Sequence, residues 1–237
     1  MAAAVRLLSH TPDPERTVAL AARLCYSARG VEGLARDLGP DEVGSLLDKL
    51  VSMGHFSALE HASFTFGVEG VSRACSHQLV RHRLASYSQQ SQRYVRLDEP
   101  RVVVPPTVAD DPERAARFRQ AVEGVWALYR ELVEAGVPAE DARYLLPNAC
   151  ETKLVVTMNA RELRHVFALR LCRRAQWEIR DLVREMLRAV VPVAPRLFRG
   201  AGPGCLRGPC PEGEYSCGRA AEVRAELAPL LEGAHGG

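Results

Sequence analysis

Periodic apolar segments follow one another from Val18 to Val191 with no linker between them, and this continuity constrains the fold more than any other feature of the chain. A chain that does not interrupt its apolar pattern is expected to build one core, and 237 residues suffice to bury a substantial one. Helical spacing runs from Asp13 to Tyr26 (Val18, Leu20, Ala21, Leu24), from Asp41 to Met53 (Val43, Leu46, Leu47, Leu50) and from Val71 to Arg83. It returns from Glu113 to Ala135, briefly from Ala139 to Leu145, from Asn159 to about Arg173, and from Glu178 to Val191. Two stretches read as strands: His61–Glu69, with Phe64, Phe66 and Val68 on one side, and Glu151–Met158, with Leu154, Val155 and Val156. Tyr94 to Val104 reads as extended and closes at Pro105-Pro106. The expectation is a single α+β domain over residues 1–237, helices packed around an antiparallel sheet, with a Gly/Pro/Cys-rich tail from about residue 200.

Charge and termini narrow the function classes. The net charge of +2 gives no global field favouring nucleic acid or a membrane surface. Met1 to Leu8 holds no long apolar run, so neither a signal peptide nor a membrane span is expected, and the protein is expected in the cytoplasm. Cys25, Cys75, Cys150 and Cys172 sit in apolar or helical patterns and read as small buried residues. Cys205, Cys210 and Cys217 cluster in the tail at spacings of five and seven, with no Cys-x-x-Cys pair and no near histidine. A structural loop or one disulfide is expected there, and no metal site.

One stretch breaks the apolar pattern. From Gln78 to Tyr94 the chain packs Arg81-His82-Arg83, Gln89-Gln90, Ser91 and Arg93 among few apolar residues. Guanidinium forks match phosphate oxygens, while serine, glutamine and histidine can read a heterocycle's edge. The stretch is therefore a phosphate-binding loop or a solvated basic helix end. Gly54 to His61 lies between a helix and a strand; its His55, Glu60 and His61 lack metal-ligand spacing, leaving a locally satisfied loop or a ligand contact. Arg143, alone, reads as a surface arginine. Arg161 and His165 are four apart and share a helix face, with Arg170, Arg173 and Arg174 flanking an apolar stripe; alone, this is a basic amphipathic helix packed on the body.

Together these segments resemble the flavin-dependent thymidylate synthase family. The resemblance rests on Gly54-His55 with Glu60-His61, on Arg81-His82-Arg83 followed after seven residues by Ser91 and then Gln92-Arg93-Tyr94, and on Arg143 before Leu146-Pro147. It continues through Asn159-Ala160-Arg161 and through Leu169-Arg170 followed by Ala175-Gln176-Trp177-Glu178-Ile179-Arg180, spreading from about residue 50 to 180 in the family's order. It implies reductive methylation of dUMP to dTMP, with methylenetetrahydrofolate as one-carbon donor and FAD reduced by NADPH. It also implies an α+β homotetramer with pockets across subunit interfaces, binding neither nucleic acid nor membrane. By position, His55, Ser57, Arg81, His82, Arg83, Gln89, Asn159, Arg161 and His165 are expected to contact FAD. Gln78, Arg81, Gln89, Gln90, Ser91, Arg93, Arg143 and Arg170 are expected to contact dUMP.

Two positions depart from some members of the family that the chain resembles: many carry Glu where it has Gln89, and some carry Asn where it has His165; both substitutes can still hydrogen-bond, but Gln89 cannot act as a carboxylate base. The resemblance makes Arg170 the catalytic residue, stabilising negative charge on the pyrimidine so that C5 becomes electron-rich, with no covalent enzyme nucleophile. The folate-only synthases instead attack the ring with a cysteine thiolate. Ser91 is assigned to substrate binding. The chain carries no Gly-x-Gly-x-x-Gly after a strand, so Arg81, Arg83 and a helix terminus are expected to hold the FAD pyrophosphate. A flavin reductase or oxidase binding nucleotide only as an effector is the competing enzyme reading. An arginine-rich RNA-binding module is the non-enzymatic one, opposed by the near-neutral charge.

Overall fold

A computed structural model describes residues 3–232; residues 1–2 and 233–237 of the expected domain lie outside that range. Among the described residues, β1 (Ala4–His10), β2 (Ser63–Ser72), β3 (Ala85–Gln89) and β4 (Glu151–Asn159) form one sheet in the order β1-β2-β4-β3. Thr11 N–H donates to Ser63 O at 2.9 Å, so the end of β1 meets the start of β2. Thr65 and Thr157 hydroxyls meet at 2.9 Å, and Arg73 N–H donates to Cys150 O at 2.9 Å. Both strand pairs are thus antiparallel. Phe64, Phe66 and Val68 are fully buried, as their alternation requires.

Two compact units make up the chain, each drawn from separate stretches of sequence. The absence of a linker in the sequence therefore reflects a chain that enters each unit more than once.

The first unit contains residues 68–81 and 88–155. The short helix α5 (Pro106–Ala109) packs on the long helix α6 (Pro112–Glu134), which starts at Pro112 behind an Asp111 cap. Val122 and Trp126 of α6 pack with Cys150, and Trp126 Nε1–H donates to Leu97 O at 3.1 Å. The short α7 (Ala139–Ala142) and a 3-10 turn, Arg143–Leu145, follow. The expected Val71–Arg83 helix is shorter: α4 spans Arg73–Leu79. Beyond it the polar run forms β3 rather than a helix end and loop. The helix terminus beside Arg81 is a C-terminus, whose carbonyls disfavour an anion.

Among the described residues, the second unit contains 5–67, 82–87 and 156–232. Helix α1 (Pro14–Leu24) packs on α2 (Val31–Asp37), on α3 (Pro40–Met53) and on the 3-10 turn Ser57–His61. The same turn packs on α8 (Ala160–Arg170), and α8 on α9 (Trp177–Val190). Phe198 lies edge-on to Phe64 and to Phe167, at centroid distances of 5.4 and 5.7 Å.

A tail helix, α10 (Ala220–Glu232), packs on the 3-10 turn Gly204–Leu206. Its Glu226 accepts from Arg173 and Arg184. Burial and the neighbouring Cys210, Cys172 and Cys217 push the Cys205 thiol up from its ordinary pKa. Cys75 and Cys150 are buried as expected, but Cys25 is exposed, because it follows α1 on its outer turn. Cys172, just past α8, is only half-buried. No described helix is long and apolar enough to cross a membrane.

Candidate active site

In the second unit, α3 ends at Gly54 in the left-handed conformation (φ 72°), which turns the chain so that His55 N–H still caps Leu50 O at 2.9 Å. His55 and Ser57 thereby leave the helix exposed. They line a cavity of about 400 Å3 with Leu50, Phe56, His61 and Arg161. Arg161 reaches it from the first turn of α8, where Asn159 Oδ1 accepts from Glu162 N–H at 2.9 Å and so starts the helix. Arg161 pairs with Glu60. Arg164 is buried, its guanidinium 4.7 Å from the Phe56 ring centroid, and it donates to Leu197 O at 2.7 Å. Burial lowers its pKa to about 10, so it stays a cation and holds Phe56 in the wall.

One turn further along α8 the chemistry changes. His82 is buried, and its Nε2 accepts from Arg170 Nε–H at 3.0 Å. Burial, then the charges of Arg170 and His165, lower the His82 pKa to about 4. The imidazole is therefore neutral at physiological pH, with Nε2 the acceptor and the proton on Nδ1. Nδ1 faces the buried Glu162 carboxylate at 3.7 Å, which favours that tautomer. The His165 ring stands edge-on to His82, centroids 6.0 Å apart. Tyr87 donates its hydroxyl to His82 O at 2.9 Å, and burial with Glu162 nearby pushes its own pKa up. Arg83 is exposed.

The first unit gathers a separate set. Arg93 Nε and Nη2 each donate to Glu140 Oε2 at 2.8 Å, and Arg143 Nε donates to Glu140 O at 3.1 Å. One residue of α7 thus binds two of the expected substrate arginines, through its side chain and its backbone. Ser91 Oγ accepts from Arg93 N–H at 3.2 Å, and Gln90 N–H donates to Lys153 O at 3.0 Å. Gln89 turns inward: its Nε2 donates to Ser76 Oγ at 3.0 Å and Thr152 Oγ1 at 3.1 Å. Gln78 is half-buried on α4, and Arg81 is exposed just beyond it.

The structure thus brings His55, Ser57 and Arg161 to one cavity, His82, His165 and Arg170 to one cluster, and Arg93 and Arg143 to one carboxyl-bearing residue. Sequence reasoning missed Glu140, Glu162, Tyr87 and Arg164. Only Glu162 carried a signal, an acid three residues after the Asn159 cap, and that reads as a capping box rather than a histidine partner.

A family model described as thymidylate synthase complementing protein matches residues 6–196. The chain is 62% identical over 222 residues to a flavin-dependent thymidylate synthase of Geobacter sulfurreducens, covering 93% of this chain and 96% of the relative. It is 51% identical over 240 residues to one of Clostridium tetani, covering 94% and 96%. Among solved structures it is similar to a UMP/dUMP methylase of Streptomyces cacaoi bound with 5-Br dUMP, with a TM-score of 0.73 and 25% identity, covering 84% of this chain and 96% of that one. With the family model spanning most of its length and two such relatives matching it almost end to end, the chain belongs to the flavin-dependent thymidylate synthase family.

Proposed function

We propose that the protein makes dTMP by reductive methylation of dUMP, taking the one-carbon unit from methylenetetrahydrofolate and using FAD reduced by NADPH, as a homotetramer in the cytoplasm. The observation that carries this reading is the Arg170–His82 pair, a guanidinium fixed by a neutral, buried imidazole. The flavin-dependent relatives and the methylase bound with 5-Br dUMP support the same reaction class.

The cavity beside Gly54 suits a flavin dinucleotide by its donor set. Arg161 offers a cation, His55, Ser57 and His61 offer polar contacts, and Phe56 and Leu50 offer an apolar wall. When bound, FAD supplies the electrons that the methylation consumes. Arg81 and Arg83, both exposed, add cations without help from a helix N-terminus.

Arg170 carries the activation. Uracil C5 is a poor nucleophile, and it becomes electron-rich when negative charge delocalised over the pyrimidine is stabilised. His82 holds the Arg170 Nε–H at 3.0 Å without adding an opposing charge of its own. A cysteine nucleophile is disfavoured in this region. Cys75 is fully buried, and burial raises the Cys150 pKa to about 11, so its thiol stays protonated. The Ser91 hydroxyl receives the Arg93 N–H and serves to position it. Arg93 and Arg143 suit the dUMP phosphate. Leu84, Tyr94 and Tyr144 directly follow Arg83, Arg93 and Arg143 in sequence and are 71%, 80% and 86% exposed, as apolar side chains awaiting a neighbouring copy would be.

The test is an anaerobic assay of purified protein with FAD, NADPH, methylenetetrahydrofolate and dUMP tritiated at C5. Tritium release with dTMP formation, both lost when the flavin is stripped, is the expected result. NADPH oxidation without dTMP would overturn it in favour of the reductase.

A further inference from the structure

The reaction leaves the cysteine-rich tail without a role, and the fold gives it one. Cys172 lies two residues beyond α8, Cys205 in the 3-10 turn Gly204–Leu206, and Cys210 and Cys217 on the irregular stretch before α10. All four line one cavity of about 460 Å3, and none is in a disulfide. The sequence places three cysteines near one another; the fourth is contributed by the body across more than thirty residues of chain. Among the described residues no three His, Cys, Asp or Glu side chains already stand in metal-holding geometry.

We infer that Cys172, Cys205, Cys210 and Cys217 form a tetrathiolate site for a soft divalent metal ion of the zinc class, which fastens the tail to the end of α8. Four sulfurs with no histidine match the donor set of a closed structural site, and the four residues between Cys205 and Cys210 fall within the ligand spacing such sites use. The cavity's carboxylate is already engaged, because Glu212 pairs with Arg174, so sulfur rather than oxygen is left to choose the ion. Four thiolates around a dication leave net negative charge, and Arg173 and Arg207 in the same wall offset part of it. Those arginines do not make the cavity an anion site of its own: Arg173 is bound to Glu226, and Arg207 donates to Gly200 O at 2.8 Å. The tail is also held in place for the purpose. Arg224 of α10 donates to Cys205 O at 2.8 Å and Gly208 O at 3.0 Å, fixing the turn that carries the first ligand. Binding exchanges each thiol proton for a metal–sulfur bond, and the protons leave to solvent.

The full-length protein, purified under reducing conditions and stripped with a chelator, is titrated with Co2+. The expected result is a sulfur-to-cobalt charge-transfer band and tetrahedral ligand-field bands that saturate at about one ion per chain and vanish on adding Zn2+. Thiol counts with a disulfide reagent should fall by four on loading with Zn2+. The Cys210→Ser/Cys217→Ser double variant, checked for retained far-UV dichroism, should lose the charge-transfer band. Wild-type protein that gives no saturable band overturns the site, as does a band that survives in the double variant. An intact mass lowered by the hydrogens of a disulfide would overturn it in favour of a covalent tail staple. None of these readouts depends on dTMP formation, so the site and the proposed reaction can fail separately.

Discussion

Two arginines of this chain are held in opposite ways. Arg170 is partly buried and gives its Nε–H to a neutral imidazole; Arg93 is exposed and grips a carboxylate. The difference decides what each cation can still do. A neutral partner at the Arg170 Nε adds no opposing charge of its own, which suits the proposed activation of the pyrimidine. His82 orients the guanidinium. At Arg93 the solvent already screens the pair with Glu140, so the carboxylate can yield to an incoming phosphate at small cost.

Removing the first cation should have the largest effect. Arg170→Ala is expected to lower kcat by about 100- to 1,000-fold, the usual loss when one preorganised electrostatic group is deleted. Flavin absorbance of the purified variant should be unchanged. Arg170→Lys should recover little, because a lysine cannot both meet His82 and present a flat fork to the substrate. Wild-type turnover in either variant would end the comparison at its root.

His82 sharpens the comparison. His82→Ala removes the acceptor from a charged donor and should cost about 10- to 100-fold in kcat, with a smaller change in dUMP KM. His82→Gln, a neutral acceptor, should recover part of that loss. A pH signature accompanies it. The folded-state pKa of about 4 lies below the ordinary 6.5 of an unfolded histidine. Above pH 6.5 both states are neutral and the residue adds no pH dependence. As pH falls from 6.5 toward 4 the unfolded chain takes up a proton that the folded one refuses, so stability declines through that window. Chemical denaturation of wild type against His82→Gln at pH 7 and pH 5 isolates it, and equal declines in the two proteins would refute the assignment.

Which parts of this were legible in the sequence follows from where each partner lies. Apolar spacing located α1, α3, α6, α8 and α9 because each buries one continuous face, and Asn159 marked the start of α8 through its cap. Strand β1 was missed because the alternation in Ala4–His10 is faint and most of the strand is exposed. Helix α10 was missed because it follows a Gly/Pro-rich stretch and carries Pro229. The expected helix into Arg83 stops at Leu79, and Val80 and Leu84 beyond that end are exposed rather than packed on a core. The motif residues were visible as types, but their partners were not. His82 and Arg170 are 88 positions apart, and Glu140 is an ordinary surface acid until the fold brings Arg93 to it.

The exposed pair should respond more weakly and in a different parameter. Arg93→Ala is expected to raise the dUMP KM about 10-fold with kcat nearly unchanged, as loss of one charged contact predicts. Glu140→Gln should shift KM by no more than about 2- to 5-fold, the scale of an exposed ion pair. Steady-state kinetics at low and high salt separates the cases, since the Glu140 effect should fade as salt screens the pair. A kcat loss in Glu140→Gln comparable to that of His82→Ala would mean that the two arginines are not held for different purposes.

The smallest effect concerns Gln89, which cannot act as a carboxylate base. Its amide donates to Ser76 Oγ and Thr152 Oγ1, and Ser76 in turn donates its own proton to Arg73 O at 3.0 Å. A carboxylate in its place accepts but cannot donate, so both hydroxyls must turn their protons toward it. Thr152 can do so by rotating its hydroxyl. Ser76 must release Arg73 O, which costs about 1 kcal/mol, one neutral hydrogen bond. Gln89→Glu is therefore expected to lower stability by about that amount in urea denaturation. Because Gln89 already faces inward, kcat should change little, and a large rise would show that a base at this position matters after all. The Ser76→Ala/Gln89→Glu double variant decides the physical account. If the strained serine is the source of the cost, removing its hydroxyl should make the glutamate less destabilising than it is alone. Full additivity of the two substitutions would refute it.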